Sequence, residues 1–133
     1  MPTLTRAPAP LLRPFVALLW AMDEPAPNGG VGSVRELMVP TGTAHIVFRL
    51  VDEPLRIYTS PDDHEGTTYR HGVLGAPRAS PYVRAVDGPT RSVGAMLRPG
   101  VAALLVGAPG HELTERHLCL EDLWGHEARR VEA

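Results

Sequence analysis

The chain has no lysine: all 13 of its basic residues are arginine. That removes the phosphate-gripping lysine of a P-loop. With no GxGxxG present either, "GAMLRPG" keeps only two glycines ahead of a helix, and nucleotide binding has no support. Cysteine is nearly absent too. Cys119 stands alone, which excludes an internal disulfide and any multi-cysteine metal site, and within "RHLCLEDL" it reads as a small buried apolar residue suited to a reducing cytoplasm. No apolar run is long enough to span a membrane. The segment "RPFVALLWAM" is too short for a secretory leader, and Asp23 and Glu24 follow it without a small-residue cleavage site, so a cytoplasmic location is expected. Excess positive charge is also missing. A formal charge of −2 gives no electrostatic footprint for nucleic acid, which needs basic residues concentrated on one face to neutralise phosphates.

Hydrolytic motifs are equally lacking. There is no G-x-S-x-G elbow. "HELTERH" looks like the zinc-protease HExxH, but His111 and His117 are six apart and would point roughly 240° away from each other on a helix. "GHEARR" has the first half of that motif and no second histidine.

What is present is a chain of 133 residues, 44% apolar, enough for one domain with its own core. The 13 glycines and 14 prolines punctuate it too densely for a helical bundle and imply short strands joined by tight turns. The apolar run Phe15 to Met22 fits either a short helix or a buried strand, which periodicity cannot separate over eight residues, and Trp20 favours the strand. Further strands are expected at "VRELMVP", "PLRIYT", "HGVLG", "SPYVRAV" and "RSVGAMLRP", with "DEPAPNGGVGS", "SPDDHEGT" and "VDGPT" as loops and turns. This spacing suits an antiparallel barrel or sandwich. After Arg98 the character changes. Pro99 opens and Gly107 and Pro109 close a helix over "VAALLV", apolar all round and therefore expected to be fully buried. From Leu120 a last amphipathic helix sets Leu120, Leu123, Trp124 and Val131, with Ala128 between, on one side.

The stretch "MVPTGTAHIVFRL" (Met38–Leu50) carries the sharpest site signal. Alternation puts Ala44, Ile46, Phe48 and Leu50 on one face, expected to be core, and His45, Val47 and Arg49 on the other. That second face is either the wet side of an open sheet or the lining of a barrel lumen. "PLRIYTS" repeats the pattern, with Arg56 and Tyr58 opposite Leu55 and Ile57. In a lumen, Arg49 would anchor an anionic or carbonyl-bearing molecule, His45 would hydrogen-bond to it and Tyr58 would form an aromatic wall.

The order "LRPFVALLW", "VPTGTAHIVFRL", "GVLGAPRASPYV", "RSVGAMLRPGVAALLVGAPGHELTERHLCLEDLWG" resembles the N-terminal sensor domain of AraC-family transcriptional regulators, from about Leu12 to Gly125. The resemblance implies a single cupin-like domain over 1–133, with a mainly β barrel or sandwich at about 12–98 and two or three short helices at about 99–133. It implies an effector-sensing and dimerisation role, with helix-turn-helix units that bind DNA lying outside this chain. It carries over no catalytic residue, cofactor or metal. The ligand-binding residues expected are His45, Arg49, Tyr58 and His71. The unidentified partner is a small-molecule effector, with a second copy meeting the stripe of Leu120, Leu123, Trp124 and Val131 and no membrane involved. The rival reading is a small cupin-like metal-dependent enzyme with His45 and His71 as ligands and Glu65 or Asp63 beside them.

Overall fold

Proline and glycine cut the chain into strands of three to nine residues that pair as two antiparallel sheets. The computed structural model describes residues 3–26, 34–51, 55–86 and 88–124. In chain order the strands are β1 (Thr3–Arg6), β2 (Val16–Glu24), β3 (Val34–Met38), β4 (His45–Arg49), β5 (Leu55–Tyr58), β6 (Thr67–Tyr69), β7 (Gly72–Gly75), β8 (Tyr82–Val86), β9 (Thr90–Leu97) and β10 (His117–Cys119). The helices are α1 (Val101–Val106), α2 (Gly110–Leu113) and α3 (Leu120–Trp124), with a 3-10 turn at Pro10–Leu12. One sheet runs β1-β2-β9-β4-β7-β10 and the other β3-β8-β5-β6. The expected mainly β architecture with short C-terminal helices is the one observed.

The main core does not lie between the sheets. It lies on the outer face of the six-stranded sheet, where Ile46, Leu74 and Leu97 meet Val101, Ala102 and Leu113 of the helices and Leu120, which is fully buried. Phe48, Leu123 and Trp124 pack around this cluster. The face Ala44, Ile46 and Phe48 is therefore core, as alternation required, while Leu50 is half exposed at the strand's end.

Three expectations are corrected here. The segment "VAALLV" is helical, but only Val101 and Ala102 are buried. Leu104 is 75% exposed and Leu105 41%, because a helix lying on a sheet has only one side to bury. Of the stripe expected to meet a second copy, Leu120 is inaccessible and so cannot face a partner; Leu123 and Trp124 pack against the core but are only partly buried, and Val131 lies outside the described residues. Cys119 is a half-buried free thiol on β10, a strand that is too short for its alternation to be read from sequence, as are β1 and β6.

Candidate functional site

The inner face of the six-stranded sheet is ordered in rows. Across β2, β9, β4 and β7, Trp20, Gly94, Val47 and Val73 lie in register, with Met22, Ser92 and Arg49 in the next row. Across β4, β7 and β10 the row is His45, Gly75, His117. The first and last of these rows each contain one glycine, and each glycine carries a ring from a neighbouring strand. The Trp20 indole lies over Gly94, and the His45 imidazole lies over Gly75 with Nε2 2.8 Å from where a Cβ would stand. Any side chain at either glycine would displace the ring.

These rings and the facing strands enclose a cavity of about 210 Å³. Met22, His45, Val47, Arg49, Val73, Ser92 and His117 line it from one sheet, and Met38, Leu55, Ile57, Tyr82 and Arg84 from the other. The turn Gly88–Pro89 and Thr90 complete the lining. Among the described lining residues there are two arginines and no carboxylate. Arg84 is held by Glu36 at 2.9 Å, and the Arg49 backbone N–H donates to the His71 carbonyl at 2.8 Å.

The histidine end is built mostly of aromatic contacts. The His117 ring meets Tyr82 edge-on with centroids 4.7 Å apart, and Tyr69 at 5.9 Å. The Arg78 guanidinium stands over the Tyr82 ring at 4.9 Å. Burial, with the charge of Arg78 and the neighbouring His45 adding to it, lowers the His117 pKa to about 4. Burial likewise holds His45 below its ordinary value and raises the Tyr82 phenol. At neutral pH both imidazoles are uncharged, each with one donor and one acceptor nitrogen, and the phenol keeps its proton.

The structure brings His45 and Arg49 into the lumen and leaves two of their expected companions outside. Leu55 and Ile57 point inward from β5, whereas Tyr58 stands on the opposite face beneath the Arg35 guanidinium, 3.9 Å from the ring centroid. His71 precedes β7 and joins the site only through its backbone carbonyl. Tyr58 was misplaced because one rule was applied to two unlike sheets. The six-stranded sheet has helices on its outside, so its apolar residues face outward and its polar ones the lumen. Among the described residues no helix covers the four-stranded sheet, so the lumen is its dry side.

The metal-ligand set proposed from sequence does not assemble. Asp63 instead closes the β5–β6 loop, accepting from the backbone N–H groups of Thr59, Glu65 and Gly66 at 3.1 Å each. Among the described residues no three histidine, cysteine or acidic side chains converge to hold a metal.

Sequence reasoning missed His117, Trp20, Tyr82 and Arg84 as lining residues. His117 was legible only as half of a failed zinc motif. The turn that aims it depends on Glu115, a non-glycine residue at φ 69° whose carboxylate accepts the backbone N–H of Ala79 and pairs with Arg78 at 3.6 Å.

A second concavity lies on the outer face of the six-stranded sheet. It is an open trough lined by Leu4, Leu12, Phe15, Phe48, Leu104, Leu105 and Trp124, with Thr5 and Arg6 among its few polar neighbours. It is larger than the lumen but holds no set of converging polar groups, the feature that distinguishes a specific ligand site.

Residues 4–119 match the family model described as a domain of unknown function (DUF6597). The chain belongs to the DUF6597 family. No curated protein and no solved structure matches it. The DUF6597 match covers the ten described strands except the first residue of β1, together with α1 and α2, and so includes every described residue lining the lumen.

Proposed function

We propose that this chain is the small-molecule-sensing module of a bacterial transcriptional regulator of the AraC type, cytoplasmic and dimeric, with its DNA-binding units outside the chain. The observation that carries the reading is the lumen itself. It is an apolar cavity between two sheets, with an arginine at one end of β4 and neutral imidazoles at the other, and it is large enough for a small organic molecule. The resemblance in motif order supplies the regulatory context. Binding suffices for this role, and no residue is assigned a catalytic part.

Chain continuity supports a route for the signal. His117 faces the lumen, and α3 begins only three residues later at Leu120, whose side chain is locked in the core. A ligand that touches His117 would act on β10, and a shift of β10 would move α3 with it. Differential contact of that kind is what lets a ligand bias one arrangement of an attached element over another.

The test is thermal melting of the chain against a panel of small acids, amines and sugars, repeated with Val47→Phe to fill the middle of the lumen. A compound should raise the melting temperature of the wild type and leave the folded variant unmoved. Equal stabilisation of both proteins would place binding elsewhere and overturn the reading.

A further inference from the structure

The lumen has a chemistry specific enough to name a ligand class, and this inference rests on the lumen being the ligand site. We propose that it selects a small aromatic monocarboxylate with a hydroxyl at the far end of its ring, the carboxylate on Arg49 and the hydroxyl between His45 and His117.

Four features converge on that class. The first is charge. Arg49 and Arg84 line the lumen and no described lining residue is acidic; Arg84 is already paired with Glu36 at 2.9 Å, so the group offered to an anion is the Arg49 guanidinium. A guanidinium has five donors, so Arg49 can hold a neighbour in the fold and still present an edge to a carboxylate.

The second is shape. The Trp20 and His45 rings pass over Gly94 and Gly75, so planar rings form part of the lumen lining, with Val47, Val73 and Ile57 as apolar walls. A flat ring packs against such a lining, while a polyol would leave its hydroxyls facing aliphatic carbon unpaired.

The third is size. A cavity of about 150 Å³ accepts benzene, so 210 Å³ leaves room for one ring and small substituents and excludes a dinucleotide or a fused polycycle.

The fourth is polarity along the cavity. Arg49 and His45 are four residues apart on one strand, about 13 Å between Cα atoms at ordinary strand rise, and only Val47 stands between them on that face. The two ends are chemically unlike, one cationic and one a pair of imidazoles that are neutral at pH 7. A neutral imidazole can accept a hydrogen bond from a phenolic hydroxyl, as an imidazolium cannot.

Calorimetric titration of the chain with 4-hydroxybenzoate, benzoate, 4-hydroxybenzamide, a neutral pentose and tyramine separates these features. The hydroxy acid should bind most tightly. The amide should be weaker by roughly ten- to a hundredfold, the size of one lost charge-assisted hydrogen bond. Benzoate should be weaker by up to about tenfold. Arg49→Gln should erase the preference for acid over amide, and His117→Phe the preference for hydroxybenzoate over benzoate. If either variant fails to fold, the acid-to-amide ratio on the wild type still decides.

An amide that binds as tightly as the acid would overturn the inference. So would a pentose or tyramine that binds while the acids do not. If that competing ligand is blocked by Val47→Phe, the sensing reading survives and only the ligand class is wrong. If Val47→Phe does not block it, or if nothing in any class binds, both fall.

Discussion

Gly75 does as much for the lumen as either histidine beside it. Its missing Cβ is what lets the His45 ring lie across the strand toward His117. Gly75→Ala puts a carbon 2.8 Å from Nε2 and must push the ring into the cavity. The expected result is a folded protein destabilised by about 1–3 kcal/mol, with ligand binding weakened at least tenfold, measured by urea unfolding and titration. His117 supplies a pH signature. Its folded pKa of about 4 lies below its unfolded value near 6.5, so the unfolded chain binds the proton more readily. The contribution is fully present above pH 6.5 and is lost as pH falls toward 4, amounting to up to about 3 kcal/mol over that window. His45 shifts in the same direction. Urea midpoints should therefore fall between pH 7 and pH 5, and His117→Phe should flatten that fall. His45 and Arg49 were legible as a pair because strand alternation is strict. His117 was not, because its orientation depends on a turn set by Glu115 contacts 35 and 36 residues away in sequence.

Among the elements, β4 and β5 explain how far pattern reading reaches. Both alternate, and alternation correctly divided each into two faces. Which face is dry depends on the third layer, and the helices among the described residues lie against the six-stranded sheet. Pattern alone therefore placed Ile46 correctly and reversed Tyr58. The same limit applies to α1, where an all-apolar sequence implied full burial and the fold covers one side. Short strands such as β10 hold too few residues to show a period, so the strand carrying His117 stayed hidden. At the other end of β10, Leu120 locks α3 into the core with no exposed surface. Leu120→Ala should cost about 3–5 kcal/mol, seen as a lowered urea midpoint. A cost below 1 kcal/mol would mean that α3 is not fixed to the domain in this way.

For the molecule as a whole, Leu120 of the stripe read from sequence as a dimer surface is internal, while Trp124 of that stripe lines the open trough, where exposed apolar side chains gather. Leu4 is 69% exposed, Phe15 48% and Leu104 75%, on β1, beside the 3-10 turn and on α1. If the proposed dimer forms through the trough, the apolar surface removed from water gains about 25 cal/mol per Å² before association costs. Leu104→Glu with Leu105→Glu should leave folding intact and give a monomer in sedimentation velocity at concentrations where the wild type is a dimer. A monomeric wild type at high micromolar concentration would remove the dimer from the account. Architecture was legible in the spacing of proline and glycine, and so was the change to helices after Arg98. The placement of the main core outside the sandwich, which leaves room between the sheets, was not, because no local pattern records how layers stack.

If the lumen between the sheets is the ligand site, a bound compound must perturb the histidine rings that line it, which side-chain NMR reads out. Of the histidines in the described residues, His45 and His117 line the lumen, while His64 and His111 are exposed on a loop and on α2. Titration with any compound that raises the melting temperature should shift the ring signals of His45 and His117 and leave those of His64 and His111 in place. Stabilisation with His45 and His117 unmoved would contradict the account.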